Sequence, residues 1–148
     1  MKIDGLTIER AIAADVREIH ALEQRCFPSP WRREFFESEL LNEGRFNLVA
    51  RRNDDVVGYL FAMWFADEMH INKIAVDESV RRRGIALALM QRCTAFAAEH
   101  GVTSISLEVR RSNDEAQQFY TFLGFEAEYI RKGYYPDGEA AVVMTKEV

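Results

Sequence analysis

Arg81, Arg82 and Arg83 run directly into Gly84, between an apolar segment ending at Ile74-Ala75-Val76 and a stretch with the composition of a helix. A helix N-terminus offers unpaired backbone N–H groups and the positive end of the peptide dipole, so guanidinium groups at such a place suit a diphosphate. Gly84 permits close approach of a ligand to the backbone, and Ala86 adds almost no bulk. Neither the Gly-Lys-Ser/Thr of the nucleotidase phosphate loop nor the three spaced glycines of the dinucleotide fingerprint surrounds this loop. Taken alone, a basic run also fits a solvated face.

Acid–base chemistry has its best candidate further along. In Ser104–Arg110, strand alternation places Ile105, Leu107 and Val109 on one face and Ser104, Ser106, Glu108 and Arg110 on the other. Glu108 is therefore a mid-strand carboxylate turned away from the apolar face. The competing reading is a surface or arginine-paired glutamate. Tyr120 shares a helical stripe with Ala116, Phe119 and Leu123, so it is either a core tyrosine or a phenol aimed at a site. Asn113 reads first as a helix cap. His70 has the intrinsic pKa of a base but reads as a satisfied structural histidine. Cys26 and Cys93 show neither metal-ligand spacing nor a disulfide framework, and both are expected to be reduced, and buried or inert.

The elements that must position these groups follow from periodicity. A strand is expected near Leu6–Arg10, then a helix from about Asp15 to Arg25 with Val16, Ile19 and Leu22 on its apolar side. A second helix, about Arg32–Leu41, carries Phe35, Phe36, Leu40 and Leu41. Strands Phe46–Arg52 and Val56–Phe65 flank an Asn53-Asp54-Asp55 turn, and Met69–Val76 leads into the basic loop. The helix from Gly84 to about His100 presents Leu87, Met90, Phe96 and Ala97 inward and stops at Gly101. After strand Ser104–Arg110, a helix that Asn113 or Ser112 can cap runs to about Leu123, and Gly124 closes it. Strands Phe125–Tyr134 and Ala140–Lys146 then flank the turn Tyr135-Pro136-Asp137-Gly138. The reading is an α/β (α+β) domain over residues 1–148, a mixed sheet of about seven strands flanked by four helices, with a right-handed crossover through the Gly84 helix.

Composition narrows the classes. At 148 residues, 48% hydrophobic and 29% charged, the chain has the make-up of one soluble globular domain. Net charge −5 argues against broad nucleic-acid binding, and no apolar run approaches a membrane span. The opening MKIDGLTIER lacks a signal-peptide core, so a cytoplasmic location is expected.

The segment R-x-x-G-x-A from Arg81 to Ala86, after Ile74–Val76, resembles the acetyl-CoA-binding motif of the GNAT N-acetyltransferases. LEVRRSNDEAQQFYTFLGFEAEYIRKGYYPDGEAAVVM from Leu107, together with CFPSPW from Cys26, is similar to the RimI-like branch, alanine N-acetyltransferases acting on the eighteenth small-subunit ribosomal protein. The resemblance implies a GNAT fold and acetyl-CoA as co-substrate, with no metal. It implies that Arg81, Arg82, Arg83, Gly84, Ile85 and Ala86 bind the pyrophosphate and that the backbone of Ile74, Ala75 and Val76 pairs with the pantetheine arm, which Asn113 also touches. It further implies Glu108 as general base through water, and Tyr120 as the acid or hydrogen-bond donor to the departing sulfur.

An α-amine has a pKa of about 7.7–8.0 and a lysine about 10.4, so neutralising lysine costs about 3.5 kcal/mol more, which favours a protein N-terminus as acceptor. The resemblance implies that Phe27, Pro28, Trp31, Tyr134 and Tyr135 frame the peptide end, although these aromatics could equally pack the loop ends. Two departures bear on the acceptor. Asn72-Lys73 stands where the branch has an apolar residue and Asn, so Lys73 is expected to alter charge there, and Ala140 replaces an acidic residue. Acetylation of a small amine, or acyl-CoA binding without turnover, are the alternatives.

Overall fold

The computed structural model describes residues 4–148, so the first residues of the MKIDGLTIER stretch lie outside it. Strands β1 (Leu6–Arg10), β2 (Arg45–Arg52), β3 (Asp55–Phe65), β4 (Glu68–Val76), β5 (Ser104–Arg110), β6 (Glu126–Arg131) and β7 (Ala141–Glu147) form one seven-stranded sheet in the order β1-β2-β3-β4-β5-β7-β6. Helices α1 (Val16–Cys26) and α2 (Arg33–Leu41) precede β2. Helix α3 (Ile85–Glu99) joins β4 to β5, and α4 (Asp114–Phe122) follows β5. This is the expected element order. Only β4 and β5 run parallel; every other neighbouring pair is antiparallel.

The sheet separates two apolar layers. Ile19, Leu22 and Phe36 of α1 and α2 pack on Tyr59, Phe61 and Ala75, with Phe36 meeting Tyr59 and Phe61 edge-on at 5.8 and 5.1 Å. On the opposite face, Ile85, Leu89, Met90, Cys93 and Ala97 of α3 and Tyr120 of α4 pack on Leu60, Ile71, Leu107 and Met144. Complete burial of each leucine, isoleucine, phenylalanine or methionine among them contributes roughly 1.5–3 kcal/mol. The helix faces differ in detail from the periodicity. Phe35 and Leu41 are exposed, because apolar residues at 35, 36, 40 and 41 span too wide an arc for one contact, and only Phe36 is fully buried. Leu87 turns toward a cleft rather than into the core, where Leu89 takes the inward position.

Two irregularities shape the centre. Pairing of β3 with β4 passes from Phe61↔Lys73 to Ala62↔Ile71, so Asn72 is an inserted residue, a β-bulge. The bulge reverses the alternation: Met69 and Ile71 join the α3 layer, as do Ile74 and Val76, while Ala75 joins the α1 layer. The second irregularity is that β4 and β5 stay paired only from Glu68↔Ser104 to Ile71↔Leu107. Beyond that point the strands separate, and the edge of β4 away from β3, from Lys73 to Val76, has no strand beside it among the described residues.

Candidate active site

The cleft opens at that separation. It encloses about 490 Å³ and is lined by Ile74, Ala75, Val76, Arg81, Arg82, Gly84, Ile85, Ala86, Asn113 and Tyr120, with Cys26 and Phe27 at its other wall. Its volume lies within the range of small-molecule sites. The donors come from geometry. Asp77 N–H donates to Val57 O at 2.8 Å, which fixes the phase of the β3–β4 ladder. By alternation, the backbone groups of Val76 and Ile74 point to the opposite, open edge. Arg81 Nε donates to Val76 O at 3.0 Å, consistent with that direction, and leaves the N–H groups of this edge free to meet a ligand.

The basic loop reaches the cleft through a left-handed turn. Arg82 (φ 64°) and Gly84 (φ 84°) both have positive φ, and Gly84 is the N-cap of α3. Glycine is needed where the chain must turn this way beside a ligand; Arg82 accepts the cost. Arg82 Nη2 lies 3.2 Å from Glu115 Oε2, with both side chains largely exposed. Arg83 is exposed and, unlike its two neighbours, does not line the cleft. Asn113 caps α4, its Oδ1 accepting from Ala116 N–H at 3.1 Å, and it also lines the cleft. A diphosphate attached to an extended, amide-bearing arm fits this set: guanidiniums and a helix N-terminus at one end, a free strand edge along the other.

Tyr120 is 7% exposed and packs against Phe119 and Phe125 at ring distances of 5.3 and 5.8 Å. Burial pushes its hydroxyl well above the ordinary tyrosine pKa. Glu108 is on the other side of the sheet. It lines a separate groove with His70, Glu68, Ser106, Glu128 and Arg131, and the groove and the cleft share no residue. The expected pair is thus brought to the two faces of one gap rather than into one cavity.

Glu108 is held from two sides. Tyr134 Oη donates to its Oε1 at 2.9 Å, and His70 Nε2 lies 2.7 Å from Oε2 and 3.0 Å from Oε1. Burial raises the Glu108 pKa, but the His70 contact and charge, with the Tyr134 hydrogen bond, outweigh it and hold the carboxyl below its ordinary value. For His70, burial lowers the pKa and the Glu108 hydrogen bond and charge outweigh that, so its value is raised. Burial, then Glu108, pushes Tyr134 up to about 12. Sequence reasoning set His70 aside. Its alternation against Met69 and Ile71 was a usable signal for its face, but not for its partner.

The loop residues divide. Phe27 lines the cleft, Pro28 is exposed, and Trp31 packs on Phe35 and Phe36 at 4.3 and 5.4 Å. Tyr134 reaches Glu108, while Tyr135 stacks beneath the Arg110 guanidinium at 4.1 Å. Arg110 also contacts Asp137 and Glu139 at 2.8 and 2.9 Å, and Gly138 N–H donates to Tyr135 O at 2.8 Å, closing the expected turn. Lys73 lies beside the residues expected at the acceptor end, and it is paired there. Its Nζ lies 3.1 Å from the fully buried Glu23 carboxylate and 3.7 and 4.8 Å from the Phe27 and Trp31 rings. Glu23 also accepts from Trp31 N–H at 2.9 Å and from the Tyr59 hydroxyl.

Comparison with known proteins agrees with this geometry. Residues 16–125 match the Acetyltransferase (GNAT) family. The [ribosomal protein bS18]-alanine N-acetyltransferase of Escherichia coli (strain K12) is 33% identical over 143 residues, covering 93% of this chain and 95% of that protein. The crystal structure of the ribosomal-protein-S18-alanine N-acetyltransferase from Escherichia coli superimposes with TM-score 0.90 at 32% identity, covering 97% and 94% of the two chains. Ard1 from Thermoplasma volcanium gives TM-score 0.91 at 28% identity over 97% and 98%. By sequence, by fold and by the extent of both matches, the chain belongs to the acetyltransferase (GNAT) family.

Proposed function

We propose that the chain is an acetyl-CoA-dependent N-acetyltransferase that acetylates the N-terminal alanine α-amine of ribosomal protein bS18, in the cytoplasm where ribosomal proteins are made. The observation that carries it is the end of β4–β5 pairing at Ile71↔Leu107, which frees the Ile74–Val76 edge between the arginine loop and Glu108. The relatives of 33% identity that bear this activity support the acceptor. Among the described residues, no helix is long and apolar enough to cross a membrane.

In this reading Arg81, Arg82 and the α3 N-terminus hold the diphosphate, and the β4 edge aligns the thioester, with Val76 N–H directed at its carbonyl oxygen. Glu108 takes a proton from the α-ammonium, through water, and so frees the nitrogen lone pair for attack. Tyr120 keeps its own proton, because burial has raised its pKa, and stabilises the departing sulfur by a hydrogen bond. Phe27 and Tyr134 border the acceptor in this reading, Tyr134 through its hydrogen bond to Glu108. Incubation with acetyl-CoA and peptides bearing the bS18 N-terminus, the same N-terminus blocked, or internal lysines tests this by mass spectrometry. Acetylation of the free N-terminus alone is expected; acetylation confined to lysine would reject the acceptor.

A further inference from the structure

Both ring nitrogens of His70 face acceptors. Nδ1 lies 2.6 Å from Asn72 Oδ1, and Nε2 faces both oxygens of Glu108. The Asn72 amide is oriented by its own Nδ2, which donates to Glu39 Oε1 at 3.4 Å, so the atom turned to His70 is the oxygen. A neutral imidazole carries one N–H and can satisfy only one of these acceptors; the imidazolium satisfies both. Asn72 is the bulge residue, so the irregularity that reverses the strand also supplies the clamp on Nδ1.

The charged groups around His70 come from several elements. Glu108 faces it from β5, Arg131 and the Tyr134 hydroxyl from β6 and the segment after it. Glu68 of β4 and Glu128 of β6 line the same groove, and Glu39 of α2 acts through Asn72. Carboxylates outnumber cations here, and the contact between Nε2 and Glu108 is the shortest one His70 makes to a charged group.

We propose that His70 is a positioning residue that stores the proton leaving the acceptor amine, receiving it by way of Glu108. The inference rests on reading Glu108 as the base. One N–H bond of the α-ammonium breaks and its electron pair stays on nitrogen for attack. The proton passes through water and the Glu108 carboxylate to Nε2, where a new N–H bond forms. The second proton lost by nitrogen, once it has bonded to the acetyl carbon, leaves with the sulfur as thiol. The store ends as an imidazolium–carboxylate pair with no net charge, clamped by Asn72, and its proton returns to solvent through the open groove. Turnover therefore requires His70 to be neutral when the acceptor binds.

The test is the pH profile of kcat for the bS18 N-terminal peptide in the wild type, His70→Gln and Glu108→Gln, beside an NMR titration of the His70 ring. In the wild type, the acid limb of kcat should coincide with the His70 titration. Glu108→Gln should move that titration to lower pH and reduce kcat by about a hundredfold, the low end for loss of a general base. His70→Gln should displace the acid limb and lower kcat by roughly tenfold at neutral pH, a smaller loss than that of the base itself. An unchanged KM for acetyl-CoA and a His70→Asn variant with the same displaced limb keep a folding defect from imitating the result. A His70→Gln profile parallel to the wild type, or a His70 titration indifferent to Glu108→Gln, overturns the proposal. If Glu108→Gln keeps full kcat, the reading of Glu108 as base falls; if it loses kcat while His70→Gln keeps the wild-type limb, only the proton store falls.

Discussion

The Lys73 ammonium sits 3.1 Å from the Glu23 carboxylate and 3.7 Å above the Phe27 ring, with Glu23 completely buried. A buried ion pair is expensive to form and more expensive to break from one side. Lys73→Met should therefore destabilise the fold by roughly 3 kcal/mol, because it removes one partner of a buried pair and leaves the other without it. The double variant Glu23→Leu, Lys73→Met should recover part of that loss. Urea denaturation of the two proteins measures it; a single variant as stable as the wild type would count against the pairing.

The His70–Glu108 pair makes stability depend on pH. The folded pKa of His70 is raised, so its contribution is complete below the ordinary histidine value and is lost as pH rises through the folded value. The folded pKa of Glu108 is depressed, so its contribution is complete above the ordinary glutamate value and is lost as pH falls through the folded value. Both are present together between about 4.3 and 6.5. The Tm difference between the wild type and His70→Gln should peak in that window and shrink on either side. A pH-independent difference would contradict the linkage.

The three arginines should not be equivalent. Arg81 and Arg82 line the cleft and Arg83 does not. Arg81→Gln should raise KM for acetyl-CoA by about tenfold or more, the loss expected for a charge-assisted hydrogen bond of roughly 1.5–3 kcal/mol. Arg83→Gln should change it by less than about twofold, as an exposed charge near a ligand is largely screened. Steady-state kinetics at fixed ionic strength decides between this order and equal effects.

Asn113 has two separable tasks. Asn113→Ala removes the α4 cap and should cost about 1 kcal/mol, while Asn113→Ser should keep most of it. If the amide also touches the pantetheine arm, both substitutions raise KM for acetyl-CoA. Thermal melts and kinetics on the same samples separate the two effects; a normal KM in both variants would confine Asn113 to capping.

Cys26 lines the cleft, with Arg81 Nη2 3.9 Å from its sulfur. Burial pushes the thiol above its ordinary pKa, and Arg81 opposes this without reversing it. A protonated thiol is a poor nucleophile. Cys26→Ser should keep kcat within about twofold of the wild type, since group transfer without a covalent enzyme intermediate needs no thiolate. Mass spectrometry of the intact wild type after incubation with acetyl-CoA should find no acetyl adduct on Cys26.

Much of the architecture was legible because local signals agreed. Strict alternation in Ser104–Arg110 gave the face of Glu108, and Gly84 and Gly101 bracketed α3. The partner of Glu108 was not legible, because it depends on the parallel register that sets His70 beside Ser106, two residues short of Glu108, and neither strand encodes that alone. The partner of Lys73 was not legible for a related reason. The inserted Asn72 puts Lys73 on the α1 side, where Glu23 takes its charge. Strand β6 ends at Arg131 rather than Tyr134, since Gly133 has φ 62° and turns the chain away, which lets Tyr134 swing to Glu108.

Where β4 and β5 part, the sheet carries a cleft and, apart from it, a groove. The arginine loop and Tyr120 line the cleft, and Glu108 with His70 lines the groove. Under the proposed function, a donor held in the cleft and an acceptor approaching by the groove use separate routes, so both are aboard when the bond is made.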